Sequence, residues 1–302
     1  MRVLVTGTAG RVGSVTAREF LSQGYDVRAL DLAPPPADVR EHEKVESVYV
    51  DLRDRLAVLK AAEGCDAIAH LAAVPHPGPA DDRILGVNVL GTHHLLDAAE
   101  AFGIKRVAIA STCCTYGIYF ALHPFAPDYL PLDEKHPVKP QDLYALSKVL
   151  CEETAAAYTR RSGMTTVCLR LTSVVDLTGG SHRRWWRNSL TSDNDRRNDF
   201  WTYIEARDAA RAFRLAIENA PEGTSANLII ANRDSFTLHD IRHLVRKHFP
   251  ALADQVAHLD PHASAYDTRL AEEHIGFVAQ NSWREHPDFA DLLAGEAPAA
   301  KV

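Results

Sequence analysis

The sequence of 302 residues lacks the features that mark several classes of protein. No apolar run reaches the roughly 20 residues that a membrane-spanning helix needs. The opening residues, MRVLVTG, lack the basic and then apolar layout of a signal peptide and read instead as a strand. The formal net charge of −7 disfavours a protein that binds nucleic acid by neutralising phosphates. We therefore expect a cytoplasmic protein without a membrane or nucleic-acid partner.

Cysteine is also scarce, and its placement argues against a disulfide framework. The five cysteines are Cys65, Cys113, Cys114, Cys151 and Cys168, and they form no Cys-x-x-Cys pair. An odd number in a chain of cytoplasmic type disfavours disulfides. If Cys113 and Cys114 lie on a strand, they point to opposite faces and cannot easily share one metal ion. We expect the cysteines to fill the core, and we assign no metal.

What the sequence contains is a regular alternation of strand-like and helix-like segments. Apolar runs at 2–7, 26–31, 67–73 and 106–112 are separated by stretches with helical periodicity. This alternation predicts parallel strands joined by right-handed crossovers, with helices on both faces. We predict an α/β fold with a Rossmann-type, doubly wound parallel sheet in residues 1–175. Residues 176–302 are expected to form a smaller, interleaved substrate-binding lobe, with a disordered tail at 295–302.

The turn after the first predicted strand carries three regularly spaced glycines. In VTGTAGRVG they are Gly7, Gly10 and Gly13, with the spacing Gly-x-x-Gly-x-x-Gly. Glycine allows a tight turn and a close approach of the backbone to a pyrophosphate. The start of the following helix offers N–H groups and a favourable dipole to the phosphates. The strand–turn–helix context therefore predicts a dinucleotide-binding site.

Two aspartates are expected at the adenosine end of this site. Asp31 ends the second predicted strand, where a carboxylate accepts hydrogen bonds from ribose hydroxyls and repels a 2′-phosphate. This predicts NAD rather than NADP, although Arg11 and Arg28 lie nearby in sequence and leave the choice open. Asp51 ends the third predicted strand, where it either meets the adenine or belongs to a helix N-terminus.

The segment YALSK places Tyr144 and Lys148 one helical turn apart, on one face of a predicted helix over 142–163. A tyrosine hydroxyl has an unperturbed pKa of about 10, and a neighbouring ammonium and an oxidised nicotinamide would both lower it. Such a tyrosine can take a proton from an alcohol while hydride leaves the same carbon. On an arbitrary helix, however, the same spacing is more often surface decoration.

The combination of these features resembles the short-chain dehydrogenase/reductase superfamily. More closely, it is similar to the extended branch, the NAD-dependent epimerase/dehydratase family, whose first turn has the form Thr-Gly-x-x-Gly-x-x-Gly. The segments DLRD at Asp51, HLAA at His70, NVLGT at Asn88 and LRLTSV at Leu169 occur in that family's order. The stretch ASTCCTYGIYF and the chain length also resemble the uronate dehydrogenases of the same branch.

The resemblance implies a role for each matching residue. Tyr144 would be the general acid/base, and Lys148 would bind the nicotinamide ribose and lower the tyrosine pKa. Thr112 would hold the reacting oxygen near Tyr144, with Ser111 as the alternative. The full set of expected cofactor-binding residues is Gly7, Gly10, Arg11, Val12, Gly13, Asp31, Asp51, Leu52, Leu71, Ala72, Ala73, Asn88, Tyr144 and Lys148.

The segment after the sixth predicted strand departs from the nucleotide-sugar enzymes of the family. Those enzymes usually carry Asn where this chain has Ser173. The following SHRRWWRN offers Arg183 and Arg187 to a substrate carboxylate or phosphate, and Trp186 to a sugar face. A solvated surface loop is the alternative interpretation of that segment.

The sequence thus predicts an NAD-dependent enzyme that transfers hydride at a carbinol of a sugar, uronate or nucleotide-sugar. It can act as an epimerase, or as a sugar or uronate dehydrogenase with net production of NADH. A non-catalytic NAD-binding protein is the remaining alternative. The resemblance further implies a homodimer that pairs through the Tyr–Lys helix and the long helix before the fifth strand.

Overall fold

A seven-stranded parallel sheet forms the centre of the protein in a computed structural model that describes residues 1–78, 82–178, 183–194 and 196–294. The predicted disorder of 295–302 falls outside these ranges. The strands follow the order β3-β2-β1-β4-β5-β6-β9, which confirms the doubly wound α/β fold. The described strands are β1 (Arg2–Thr6), β2 (Asp26–Asp31), β3 (Val45–Tyr49), β4 (Ala67–His70), β5 (Arg106–Thr112), β6 (Thr165–Leu171), β7 (Ser173–Val175), β8 (Tyr203–Glu205) and β9 (Ser225–Ile230).

Helices cover both faces of the sheet. One face carries a core in which Phe20 and Phe213 pack on the strands, and the other carries a core built around Val58, Leu95 and Tyr158. Burial on both faces explains why the central strands are continuous apolar runs. The described α-helices are α1 (Arg11–Ser22), α2 (Ala37–Arg40), α3 (Arg55–Ala62), α4 (Gly91–Ala101), α5 (Leu143–Ser162), α6 (Arg183–Thr191), α7 (Ala206–Asn219), α8 (Ile241–His248), α9 (Arg269–Ile275) and α10 (Ala290–Ala294).

The C-terminal part of the chain is interleaved with this sheet. Strand β9 pairs with β6. Helix α7 packs against α1 on the face of the sheet that carries Phe20 and Phe213. The small parallel pair of β7 and β8 begins directly after β6 and carries Ser173. An aromatic cluster that includes Trp186, Phe236 and Trp283 holds this lobe together. Across the described residues, no helix combines the length and apolarity required to cross a membrane.

Helix α5 has clear signals at both ends. Asp142 precedes it and accepts a hydrogen bond from the backbone N of Ala145 at 2.9 Å. Gly163 ends it in the left-handed conformation, with φ of 69°. Both residues bound the predicted range, so the position of Tyr144 in the first turns of this helix follows from the sequence.

The long helix before β5 is less regular than its sequence predicts. It begins as a π-helical segment, Leu85–Leu90, and continues as α4. The carbonyl oxygen of Asn88 accepts hydrogen bonds from Thr92 Oγ1 at 2.6 Å and from Cys151 Sγ at 3.2 Å. These bonds satisfy a carbonyl in the widened turn and attach it to α5. Turns of this kind are frequent at functional sites.

Candidate active site

A cleft of about 1060 Å³ opens at the carboxyl ends of the strands. It lies where β1 has β2 on one side and β4 on the other, the point at which the strand order reverses. All the cofactor-binding residues predicted from the sequence line this cleft, with the exception of Asn88. Ser111 and Thr112 line it as well, so the expected catalytic and cofactor residues converge on one space.

The glycine-rich turn is packed too tightly for any larger residue. Gly7 has a φ of +79°, and a Cβ there would lie 2.7 Å from the backbone N of Ala72. A Cβ on Gly13 would lie 2.0 Å from the carbonyl oxygen of Gly7. Gly10 precedes α1 and has no side chain to cap it. The first turn of α1 therefore directs backbone N–H groups and its positive dipole end toward the cleft.

Asp31 is held at the adenosine end of the cleft. Its carboxylate accepts hydrogen bonds from the backbone N of Ala9 at 2.9 Å and of Leu32 at 2.7 Å. Arg28 is turned away from this site, because its guanidinium donates to the carbonyl oxygen of Ala61 and to Glu46. Arg28 is thus engaged away from the cleft, whereas Asp31 lines it.

Asp51 is paired with Arg53 at the same end of the cleft. Nη2 of Arg53 lies 2.6 Å from Oδ2 of Asp51, and both residues line the cleft. This hydrogen bond holds the pKa of Asp51 below its usual value. The N-terminal cap of the following helix is instead Asp54, which accepts from the backbone N of Leu56. Asp51 belongs to the turn before this helix, since its Oδ1 accepts from the backbone N of Arg53, and it also lines the cleft, so both interpretations stay open.

Tyr144, Lys148 and Thr112 meet at the inner end of the cleft. Nζ of Lys148 donates a hydrogen bond to the carbonyl oxygen of Ala110 at 2.9 Å, and burial lowers the pKa of this ammonium. Burial raises the pKa of Tyr144, and a hydrogen bond with Thr112 opposes that rise. Oγ1 of Thr112 also accepts from the backbone N of Cys114 at 3.1 Å. Of the two candidate hydroxyls, Thr112 is thus the one that acts on the pKa of Tyr144.

Ser111 faces a different environment. Its Oγ donates to Oε1 of Glu152 at 2.5 Å, and Oε2 of Glu152 lies 2.7 Å from Nη2 of Arg170. Both members of this ion pair have only 4% of their side chains exposed. The sequence analysis missed the pair, although Glu152 follows Lys148 at the same i,i+4 spacing that links Tyr144 to Lys148.

Asn88 supports the cleft from behind rather than lining it. Its Oδ1 accepts from the backbone N of Val74 at 2.8 Å, and its Nδ2 donates to Val74 O at 3.1 Å and to Ser147 Oγ at 2.9 Å. The residue is buried. The prediction of direct cofactor contact is therefore corrected, because both ends of the amide are used to join the loop after β4 to α5.

A buried chain of hydroxyls and imidazole lies beneath the same loop. Oγ1 of Thr6 accepts from the backbone N of Leu71 and of Ala72, both at 3.0 Å, so its proton points to His70 Nδ1 at 2.8 Å. Nε2 of His70 then donates to Thr92 Oγ1 at 3.1 Å. The imidazole is neutral in this arrangement, and burial lowers the pKa of His70 to about 3.

A second, smaller pocket of about 200 Å³ adjoins the inner end of the cleft. Thr112 and Tyr144 line both spaces. Ser173 lines the small pocket and donates to Oδ2 of Asp199 at 2.9 Å. The polar and sulfur-containing residues along the rest of its wall are Cys113, Cys114, Tyr119, Thr172, Asn198, Asp199 and Tyr266.

The sequence predicted that Trp186 and Arg187, which follow β7, bind the substrate, but neither residue lines this pocket. They form helix α6, in which Trp186 is buried against Phe236, with the ring centroids 5.6 Å apart. Arg187 donates to the carbonyl oxygen of Asp288 at 2.7 Å and pairs with Asp291. Trp186 and Arg187 therefore serve packing of the lobe, which corrects their assignment to substrate. Arg183 begins α6, and its side chain lies outside the described part of the chain.

The adjacent cysteines follow β5 as a 3₁₀ turn rather than a strand. Sγ of Cys113 donates to the carbonyl oxygen of Arg170 at 3.3 Å, and Cys114 is partly exposed on the pocket wall. Burial raises the pKa of Cys114 to about 12. At neutral pH its thiol is therefore protonated, which makes it a weak nucleophile.

Known proteins share this architecture. An L-arabinose 1-dehydrogenase (NAD(P)(+)) of Haloferax volcanii is 32% identical over 247 residues, which cover 78% of this chain and 90% of that enzyme. A uronate dehydrogenase of Pseudomonas syringae pv. tomato is 35% identical over 172 residues, which cover 57% of this chain and 59% of that enzyme. A solved structure of a short-chain dehydrogenase/reductase superfamily protein from Agrobacterium tumefaciens with bound NAD has a TM-score of 0.70 at 26% identity and covers 97% of this chain and 98% of that one.

A family model agrees with the motifs and the geometry. Residues 3–230 match the model described as the NAD dependent epimerase/dehydratase family. The match includes the glycine-rich turn, the Tyr144–Lys148 helix and the sheet up to its last strand. It confirms the resemblance inferred from the sequence. The chain therefore belongs to the NAD dependent epimerase/dehydratase family.

Proposed function

We propose that the protein is an NAD-dependent sugar dehydrogenase that oxidises a carbinol carbon and releases NADH. The observation that supports this function is the shared position of Thr112 and Tyr144. Both line the large cleft and the small pocket, so a group that spans the junction meets an acid/base on one side and a dinucleotide site on the other. Reaction at such a junction needs the reacting groups in one fixed geometry.

The cleft fits a dinucleotide by its chemistry. The backbone of Gly10, Val12 and Gly13 at the start of α1 would bind the pyrophosphate, while Asp31 would bind the adenosine ribose. Residues 71–73 and Lys148 line the cleft toward the nicotinamide end. NAD in this cleft would supply the hydride acceptor. The tight packing of Gly7 against Ala72 leaves the space for the phosphates open.

The side chains at the junction then handle the proton. Tyr144 takes the proton of the substrate hydroxyl, and Thr112 holds that oxygen within reach of the tyrosine. Lys148 uses one of its three N–H donors on Ala110 O, which fixes the ammonium and leaves two donors for the cofactor ribose. Its positive charge favours the phenolate form of Tyr144 during the transfer.

The size of the small pocket favours a simple sugar. Its volume of about 200 Å³ lies below the roughly 300–1,000 Å³ of pockets that hold drug-sized molecules. A monosaccharide suits such a space better than a nucleotide-sugar does. The similarity to enzymes named as arabinose and uronate dehydrogenases also favours net oxidation over epimerisation. A family relationship alone leaves the reaction open, because related folds carry different chemistries.

The formation of NADH tests this function. The purified full chain is incubated with NAD and one of L-arabinose, D-galactose, D-glucuronate, D-galacturonate or UDP-glucose, and NADH absorbance is followed. We expect NADH to accumulate with at least one free sugar or uronate. Conversion of UDP-glucose without NADH would indicate an epimerase. Thermal stabilisation by NAD without turnover of any compound would indicate a non-catalytic binding protein.

We also propose that the protein forms a homodimer through α5 and the π-helical segment before α4. Leu90, Leu146 and Leu150 each expose 39–44% of their surface in the single chain. Burial of these leucines would favour association. Sedimentation equilibrium of the wild type and of Leu146→Glu/Leu150→Glu tests the pairing. A monomeric wild type at micromolar concentration would contradict it.

A further inference from the structure

The small pocket that Tyr144 lines also carries a buried carboxylate, Asp199. Four hydrogen bonds hold it in place. Oδ2 accepts from Ser173 Oγ at 2.9 Å and from Arg196 Nε and Nη2 at 3.0 and 2.8 Å. Oδ1 accepts from the backbone N of Trp201 at 3.1 Å. Three of these bonds go to Oδ2, two of them from the one guanidinium, and Oδ1 accepts only one, so the second lone pair of Oδ1 remains for a further donor.

The backbone around Asp199 is strained in a way that fixes this carboxylate. Arg196, Phe200 and Trp201 have φ values of 66°, 53° and 51°. Left-handed backbone is uncommon for residues other than glycine and is especially unfavourable for bulky ones. Such conformations persist where surrounding contacts impose them, and they cluster at ligand sites. Phe200 and Trp201 are fully buried, so their packing offsets the free energy of the strained backbone and fixes the position of Asp199.

The neighbours of Asp199 extend its polar surface along the pocket. Tyr119 lines the pocket beside Ser173, which donates to Asp199. Asn198 also lines the pocket. Ile118, Phe120 and Leu171 are among the apolar residues of the wall. A small pocket with a few fixed polar groups on one side selects a ligand by hydrogen bonding rather than by area alone.

We propose that Asp199, held by Ser173 and Arg196, determines substrate specificity by accepting a hydrogen bond from a hydroxyl of the sugar other than the one oxidised. This inference rests on the proposed dehydrogenase function. A carboxylate accepts from hydroxyls and repels anions, so the substrate class is a polyhydroxylated sugar that presents a hydroxyl at this wall. A uronate carboxylate or a phosphate would have to lie elsewhere in the pocket.

The test couples a change in the enzyme to a change in the substrate. The panel sugar with the highest kcat/KM is compared with its analogues that each lack one hydroxyl. For the wild type we expect one analogue to lose about 10- to 100-fold in kcat/KM, the effect of a lost hydrogen bond to a charged group. Asp199→Asn loses a similar factor on the parent sugar and little more on that analogue. Such non-additivity identifies two groups in direct contact.

Controls separate this role from structural damage. Asp128→Asn removes an exposed carboxylate paired with Lys139, lines neither described pocket, and is expected to keep wild-type kinetics. Stabilisation by NAD shows that each variant retains the cofactor cleft. If Asp199→Asn does not fold, Ser173→Ala carries the same comparison, since it removes one of the bonds that orient the carboxylate.

The outcomes are distinct. Equal losses for wild type and Asp199→Asn across all analogues, or an unchanged kcat/KM for Asp199→Asn, would overturn the assignment of Asp199 and leave the dehydrogenase standing. A wild type that yields no NADH with any panel compound would overturn the proposed function itself, and the specificity assignment with it.

Discussion

The hydroxyl of Ser111 donates to Glu152 at 2.5 Å, while that of its neighbour Thr112 accepts from the backbone N of Cys114 and opposes the rise in the pKa of Tyr144. The two hydroxyls are adjacent in sequence and both are buried, yet they serve different partners. Ser111 completes a buried ion pair between Glu152 and Arg170, and Thr112 faces the junction of the cleft and the pocket. This difference favours Thr112 over Ser111 as the hydroxyl that acts together with Tyr144.

Thr112→Val and Ser111→Ala should therefore separate activity from stability. Thr112→Val keeps the shape and removes the hydroxyl at the junction, so kcat/KM should fall by about 100-fold, as for the loss of one preorganised donor. Ser111→Ala leaves the buried Glu152 short of one donor and should lower the free energy of unfolding by about 1–3 kcal/mol. Steady-state kinetics and urea denaturation measure the two effects. The reverse pattern would make Ser111 the catalytic hydroxyl.

The Tyr144 hydroxyl should control the pH dependence of oxidation. Burial raises its pKa, so the reactive phenolate is scarce at neutral pH and kcat/KM should increase as pH rises. Tyr144→Phe should lower kcat/KM by at least about 100-fold while NAD still stabilises the protein. Activity of Tyr144→Phe close to that of the wild type would refute this role.

Lys148 should determine the pH at which kcat/KM rises, which is called here the rising limb of the pH profile. Lys148→Met removes the ammonium that favours the phenolate, so the limb should move to higher pH and the activity at neutral pH should fall. Lys148→Arg keeps the positive charge and should shift the limb less. The measurement is a pH profile of kcat/KM for the three proteins. Identical limbs would mean that the lysine acts only on cofactor binding.

Asp31 should exclude the 2′-phosphate of NADP. Its carboxylate is fixed at the ribose end by the amides of Ala9 and Leu32, and Arg28 is engaged elsewhere. Asp31→Ser should lower the ratio of kcat/KM for NAD to that for NADP by at least about 10-fold, because the like-charge repulsion is lost. Asp51→Asn is the control variant, and it should change kcat/KM for NAD and kcat/KM for NADP by a similar factor. An unchanged ratio in Asp31→Ser would contradict the assignment.

His70 should make the protein sensitive to acid. Its pKa falls from 6.5 to about 3 on burial, so the unfolded chain binds a proton that the folded chain refuses between these values. The stability from this residue is complete above pH 6.5 and decreases as pH falls toward 3, by about 2 kcal/mol at pH 5. Urea denaturation of wild type and His70→Gln from pH 8 to pH 4 measures this, and the variant should show a shallower decrease. Parallel curves would contradict it.

Local signals in the sequence were sufficient for the sheet, the glycine turn and the Tyr–Lys helix. Periodicity distinguishes strand from helix, and Asp142 and Gly163 mark the ends of α5 because capping depends on near neighbours. The tight turn at Gly7 follows equally from residue type. These features gave the fold class, the dinucleotide cleft and the pair at its inner end before any contact between distant residues was known.

Only the tertiary structure decided the features that depend on residues far apart in the chain. The ring of Trp186 packs on Phe236, and Arg187 pairs with Asp291, so neither is available to the pocket. The helix that carries both residues packs Trp186 into the aromatic cluster of the lobe, and local sequence does not show which distant residues form that cluster.

The same distinction applies at the reaction centre. The sequence by itself determined that hydroxyls at 111 and 112, a tyrosine and a lysine are present at the spacing of the family. Ser111 is instead engaged by the buried carboxylate of Glu152 from α5, which also accepts from the guanidinium of Arg170 from β6. Burial also decides the direction in which the pKa values of Tyr144 and Lys148 shift, because desolvation is a property of the assembled core.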